Sequence, residues 1–567
     1  MTITRKDLER ATQRAQSLLL SLRSPQGYWE GRLASSPLAT GVALTALDPV
    51  DLPPQRMRAA FEWLTKAQHA NGGWGDTRSS RANLAATLLV LCADARHQGL
   101  TELSRQCAQN FVEQRGGFVE GLSRIYGADL TFQVPIRMAG ACSGLVDWSD
   151  VDPLPLELAT APRSVMGVLG LPVVSYALPA LVCVGLARHR QSPSSLPLAA
   201  LREKVATAAL QVIREMQPPG GGYLEAIPIT AFCLMALKAA GCGTHPIAQD
   251  AKRFLLSTQR ENGPWPVEVN LSTWNTTRAI EALGDGVTSP ETSRAWLLKQ
   301  QTTTPCVYSN AAPGGWGWNH LPGSVPDADD TAGALLALKL LGVGISPEVE
   351  KGLAWLLRLQ NSNGGWPTFC RGWEKLPFDR SAPDLTAHVL RAFAAWNNGS
   401  KNNLSSAIDD ATASGWKFLQ DQQRPDGSFA PLWFGCEFAP DQINATYGTC
   451  QVLQACAADG RHPAELRKRA QKFLLSLQNA DGSFGGCSGA PGTVEETGLA
   501  LKALCAHGWT FDTPQAQRAA RWLTDHQHRD GWWDPSAIGF YFAVLWYHEE
   551  LYPLCYGLGG LRALCAS

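Results

Sequence analysis

Phe473-Leu-Leu-Ser-Leu-Gln478, followed by Gly482 four residues on and Phe484 two beyond that, decides the fold because the chain repeats it. The same spacing of Gln, Gly and an aromatic recurs as Gln68/Gly72/Trp74, Gln217/Gly221/Tyr223, Gln259/Gly263/Trp265, Gln360/Gly364/Trp366, Gln423/Gly427/Phe429 and Gln527/Gly531/Trp533. An eighth copy, Arg23/Gly27/Trp29, carries Arg in place of Gln. Upstream of these units the apolar residues fall at helical spacing, as in Phe61-Glu-Trp-Leu-Thr-Lys-Ala-Gln68 and Trp522-Leu-Thr-Asp-His-Gln527. Each glycine supplies a tight turn after its helix. The Gln amide can then tie up free backbone groups at a neighbouring helix end while the aromatic packs over it. Each unit therefore clamps one helix to the next.

After most of the turns a second apolar helix can be read, at Ala82 to Ala93, Ile229 to Ala240, Thr331 to Leu341, Leu385 to Ala395, Thr446 to Ala457 and Thr497 to Ala506. Helix pairs recurring at roughly 45 to 65 residues mean an α-helical array. No long strand signal intervenes, so the pattern predicts an all-α fold of closed α/α barrels rather than an α/β fold. Repeats are sparse between about 75 and 215 and dense after 350, which predicts two barrels. Gln191-Ser-Pro-Ser-Ser-Leu-Pro197 and the Gly- and Pro-rich stretch Tyr308 to Pro326 read as surface loops.

Composition narrows the function. The 567 residues exceed one ordinary domain. Charged residues make up 17% and the net charge is -1, which gives no footprint for a nucleic acid. The fifteen cysteines are scattered and never spaced C-x-x-C, the pattern of reduced thiols in a cytoplasmic protein rather than of a disulfide framework or zinc site. The polar segment Met1 to Arg14 does not read as a signal peptide. The longest apolar stretch, Val165 to Ala187, is broken by Pro172 and Pro179 and leads to Arg188-His-Arg190, which suits a buried or interfacial helix better than a membrane span.

Chemistry concentrates at Val325-Pro-Asp-Ala-Asp-Asp-Thr-Ala-Gly-Ala-Leu-Leu-Ala-Leu338, where Asp327, Asp329 and Asp330 stand ahead of an apolar helix. Three acids so close cannot all ionise cheaply in a dry site, so at least one keeps its proton near neutral pH. Such an acid in an apolar chamber is suited to protonating a plain carbon–carbon double bond. The competing reading is that these acids merely open a helix, where carboxylates are favoured.

The repeats together with Pro326-Asp-Ala-Asp-Asp-Thr-Ala332 closely resemble the squalene-hopene cyclases, class II terpene cyclases with QW repeats and a DxDD motif, over about residues 11 to 556. The resemblance implies two α/α barrels, one inserted into the other, around a large apolar cavity. It places 1–34 with the C-terminal barrel, 35–270 in the inserted barrel and 271–567 in the catalytic barrel. It also implies a peripheral, monotopic protein on the cytoplasmic side of the bacterial inner membrane, taking an apolar isoprenoid from the bilayer without cofactor or metal. A homodimer is left open.

By resemblance Asp329 is the proton donor, flanked by Asp327 and Asp330. His388, in Pro383-Asp-Leu-Thr-Ala-His-Val389, is its partner, where a cationic imidazole would stabilise the carboxylate left behind. A satisfied core histidine is the alternative. Carbocations need aromatic faces, each contributing on the order of 1–2 kcal/mol. Among the twenty tryptophans and the other rings, Trp274, Trp318, Phe369, Tyr176, Phe540 and Tyr547 are the expected cavity lining, against plain core packing.

Departures from the family pattern are also legible. After Trp433-Phe-Gly435 the expected tryptophan has no counterpart, leaving Glu437 or Phe438 there. Acids the family carries near the first repeats are replaced by apolar residues in Leu38 to Leu47 and Ala82 to Leu91. The leading expectation is protonation of a terminal isoprene double bond of squalene or a similar polyprene. The alternatives are a bacterial class II sesqui- or diterpene cyclase acting on a prenyl diphosphate, and a cyclase-like protein that only binds apolar lipids.

Overall fold

The computed structural model describes residues 3–127, 129–160, 178–372, 374, 377–397, 403–541 and 544–567. Six helices touch in chain order and the last returns to the first: Ser272–Leu283, Ala328–Leu340, Pro383–Asn397, Ala445–Ala458, Val494–Cys505 and Leu551–Cys565. They form the inner wall of one barrel. Its outer helices include Pro347–Leu359, Ser405–Gln422, Ala464–Ser476 and Pro514–Asp525, and Arg5–Ser21 packs against the last of these and Leu551–Cys565. A second ring closes through Pro37–Ala46, Leu84–His97, Leu130–Cys142, Leu178–Gln191 and Ile227–Ala239. Among the described residues the fold is thus an all-α double barrel, with three short two-stranded antiparallel pairs at the junctions. Of the apolar stretch Val165 to Ala187, residues 165–177 lie outside the described residues, and the rest begins Leu178–Gln191.

Sequence decides which helix goes inside. Pro37–Ala46 is buried along its whole length and Ala445–Ala458 along nearly all of it, as helices apolar on every side must be. Arg5–Ser21 buries only Leu8, Ala11, Thr12, Ala15 and Leu19, one stripe at helical spacing. Side chains of Ser36, Asn83, Asn444 and Thr493 accept from first-turn N–H groups and start the inner helices.

The repeat works as a two-way clamp. In one copy the Gln360 amide donates to the Gly364 carbonyl at 2.8 Å and to the Ala411 carbonyl of the next outer helix at 2.9 Å. Trp366 Nε1 donates back to Leu356 O at 2.8 Å. Gly364 has φ 87°, and a Cβ there would stand 2.4 Å from Ser414 O, so both conformation and contact require glycine. Gln68, Gln217, Gln259, Gln423, Gln478 and Gln527 repeat the double contact. In the variant copy Arg23 donates instead to Thr288 O.

A further clamp escapes the regular spacing. Gln301 donates to Gly314 O and Glu348 O, both at 2.8 Å, and Trp316 Nε1 to Leu297 O at 2.7 Å. Thirteen residues, not four, separate its Gln from its Gly. Because this unit lies inside Tyr308 to Pro326, that stretch is not the surface loop expected: Trp316 is fully buried and Trp316–Gly317 pairs with Pro326–Asp327.

Candidate active site

A cavity of about 280 Å³ opens between the two barrels. Pro135, Pro228 and Phe232 reach it from one ring, and Trp274, Asp329 and Tyr552 from the other. Asp327, Asp329 and Asp330 all line it. The β-pair with Trp316 delivers Asp327 to the start of Ala328–Leu340, where its Oδ1 accepts from Asp330 N at 2.8 Å. The helix-opening reading therefore holds for Asp327, which caps the helix and faces the cavity at once.

Burial and the neighbouring Asp330 push Asp327 well above the usual carboxylate range. Burial raises Asp330 to about 7, with Asp329 adding to the rise and Asp327 and Arg278 opposing it. The cluster thus keeps at least one proton at neutral pH, as three acids in a dry wall must. Asp384, pushed to about 7 by burial and by Asp329, accepts from Leu432 N and fixes the adjoining wall.

Asp329 Oδ1 lies 2.5 Å from His388 Nδ1. On the far side of the ring, Arg278 Nη2 lies 2.9 Å from Nε2. A guanidinium only donates, so Nε2 is the acceptor and the ring proton sits on Nδ1, donating to Asp329. Burial and the Arg278 charge lower the His388 pKa. The expectation of a cationic imidazole is therefore corrected: His388 is neutral, and the positive charge behind it belongs to Arg278. Arg278 is anchored by Glu281 at 3.1 Å, which also binds Arg391 and Lys502. Against the pull of burial, Arg391, Lys502 and Arg278 hold Glu281 well below the usual carboxylate range.

Trp274, Trp318, Phe369 and Tyr547 line the cavity as the sequence suggested. Trp318 meets Phe369 edge-on at 6.0 Å, and Phe369 meets Trp433 edge-on at 6.1 Å. Phe540 does not line it. The side chain packs on Trp546 at 4.8 Å, and Tyr541 faces the cavity instead, because neighbours along a strand point to opposite faces. Tyr176 lies outside the described residues. Sequence reading missed Trp433, Phe434, Tyr541, Tyr552 and Glu268, all of which line the cavity. Of the two candidates for the absent tryptophan, Phe438 is half exposed beneath Arg81, and Glu437 accepts from the Arg81 backbone at 3.0 Å; neither is among the lining residues.

Chemically, the wall offers buried acids with raised pKa values beside aromatic faces, and no Lys, Arg or His among the described lining residues. It can deliver a proton and surround a cation with π-electrons without supplying a strong nucleophile.

Comparison with known proteins agrees with this geometry. Residues 12–176 match the squalene-hopene cyclase N-terminal domain and 269–549 the C-terminal domain. A squalene–hopene cyclase of Alicyclobacillus acidocaldarius is 25% identical over 627 aligned positions, covering 93% of this chain and 92% of the relative. A drimenyl diphosphate synthase of Streptomyces showdoensis is 28% identical over 265 positions, 44% of this chain and 45% of that one. The ent-copalyl diphosphate synthase structure from Streptomyces platensis superposes with a TM-score of 0.58 at 20% identity, covering 99% of each chain, a likeness of fold. With both domain models matched in order along the sequence and the acid motif on the cavity wall, the chain belongs to the squalene-hopene cyclase family of class II terpene cyclases.

Proposed function

We propose that the protein protonates a terminal isoprene double bond of squalene or a similar uncharged polyprene and cyclises it through carbocations, with Asp329 as the donor. The observation that carries this is the Asp329–His388–Arg278 chain of contacts. Arg278 disfavours a second proton on His388, so the ring donates one N–H to Asp329, which lines the cavity beside Asp327 and Asp330. Once the proton has left, the His388 N–H and the charge behind it stabilise the carboxylate. Asp327 and Asp330 flank the donor, and the rings of Trp274, Trp318, Phe369 and Tyr547 stabilise successive cations.

Asp329→Asn, incubated with squalene and shorter polyprenes, tests the assignment by mass spectrometry of the products. Loss of cyclised product by a factor of about 10³ or more is expected, and undiminished cyclisation would sink it. The similarity to the drimenyl diphosphate synthase favours a second reading, in which the substrate carries a diphosphate. Among the described residues the cavity wall holds no cation for such a group, which supports the uncharged substrate. Turnover of farnesyl or geranylgeranyl diphosphate with Mg²⁺ dependence, and none of squalene, would select the second reading. Contact with a membrane surface belongs to the first, and partition of the purified protein into liposomes checks it.

A further inference from the structure

Glu268 is the one acid on the cavity wall, among the described residues, that lies outside the Asp327–Asp330 motif. It sits in the segment between Trp265–Pro266 and Ser272–Leu283, and its backbone bridges Ala226. Ile227 N donates to Val267 O at 3.0 Å and Val269 N to Glu225 O at 3.1 Å, so residues on both sides of Glu268 are stitched to the other strand. The side chain caps no helix, unlike that of Asp327. Tyr541 lines the same cavity, and its hydroxyl favours the charged form of the carboxyl. The other titratable groups around it are Glu225, already engaged by Gly323 N at 2.8 Å, Asp330 and Tyr547. A buried carboxyl in a largely apolar wall costs stability, and such a group in a cleft is a candidate for function.

We propose that Glu268, assisted by Tyr541, takes the proton that ends the life of the cation. This inference rests on the acid-initiated reading of the site. A C–H bond beside the last cationic carbon breaks, its electron pair becomes the new double bond, and the proton passes to a Glu268 carboxylate oxygen. Asp329 gives one proton and Glu268 receives one, so the product is an isomer of the substrate. Between turnovers Glu268 releases its proton to solvent and Asp329 regains one. Burial pushes Glu268 up to about 8, with Tyr541 opposing the rise and Glu225 and Asp330 adding to it. Glu268 accepts from its ionised form, whose share grows as the pH rises toward 8, and its raised pKa lets it hold the proton it takes.

The test compares wild type, Glu268→Gln, Tyr541→Phe and Asp329→Asn by substrate consumption and product profile. Wild type should yield a cyclic alkene. Glu268→Gln should still consume substrate, yet lose that alkene by about tenfold or more to hydroxylated or isomeric products. Tyr541→Phe should move the profile the same way by less. An unchanged profile in folded Glu268→Gln, or a wild-type product carrying a hydroxyl from water, overturns the inference. So does complete loss of turnover in Glu268→Gln that retains its circular dichroism spectrum, because it would place Glu268 in initiation. Where Glu268→Gln fails to fold, the Tyr541→Phe profile decides, and no shift in it overturns the proposal. Full cyclisation by Asp329→Asn overturns the underlying reading instead.

Discussion

Arg278 reaches His388 Nε2 at 2.9 Å, so a cation that cannot give up its charge sits directly behind the imidazole. That contact makes Nε2 the acceptor, so the ring N–H points from Nδ1 to Asp329.

Replacing Arg278 with Gln keeps a donor for Nε2 but removes the charge. Without that charge His388 can take a second proton, and the support behind the proposed donor is broken. We expect kcat to fall by about 10²-fold with little change in KM. Histidine ¹⁵N NMR should show His388 passing from neutral to cationic. Arg278→Lys, which keeps the charge, should recover part of the rate and the neutral ring.

Glu281 balances Arg278, Arg391 and Lys502 in a buried cluster. Glu281→Gln leaves three crowded cations without their shared carboxylate, which should cost about 3–5 kcal/mol of stability. Chemical denaturation checks it. A loss below 1 kcal/mol would mean that solvent reaches the cluster.

Glu495 is fully buried, accepts from Ser536 N at 2.9 Å through Oε1, and leaves Oε2 without a partner. Burial, then the adjacent Glu496, raises it from 4.5 to about 8. Below the ordinary value both folded and unfolded chains hold the proton, and above it the unfolded chain ionises while the folded one resists. Its contribution to stability therefore falls as pH rises from about 4.5 to about 8 and changes little beyond. Melting temperatures across this range should decline less steeply in Glu495→Gln than in wild type.

Trp366 is fully buried and ties its own helix through Leu356 O. Trp366→Ala should cost about 3–5 kcal/mol by cavity formation and the lost donor. The change should appear as a lowered melting temperature, whereas replacement of half-exposed Phe438 should leave it nearly unchanged.

The barrels were legible because each clamp is local. Gln, Gly and aromatic lie within seven residues, and only the Gln301 unit, split by an insertion, hid from that spacing. Asp327, Asp329 and Asp330 were legible for the same reason. Arg278 was not, although it lies four residues beyond Trp274 on one helix. Its role depends on His388, 110 positions away in the chain, and nothing local marks the meeting. Glu268 was a lone acid in sequence, and only its burial on the cavity wall beside Tyr541 gives it meaning. Phe540 and Tyr541 were separable only once the strand direction was known.

Arg5–Ser21 and Leu551–Cys565 lie side by side at the seam of the six-helix ring, where Gln527 holds Ala11 O at 3.1 Å. A ribosome makes the first of these helices more than five hundred residues before the second. Arg5–Ser21 can dock on Pro514–Asp525 and Gln527 earlier, but the ring cannot close until Leu551–Cys565 emerges. The ring around the chamber consequently stays open until Leu551–Cys565 has been made, and a nascent chain stalled before Leu551 would hold the acid motif in an open, wetted trough.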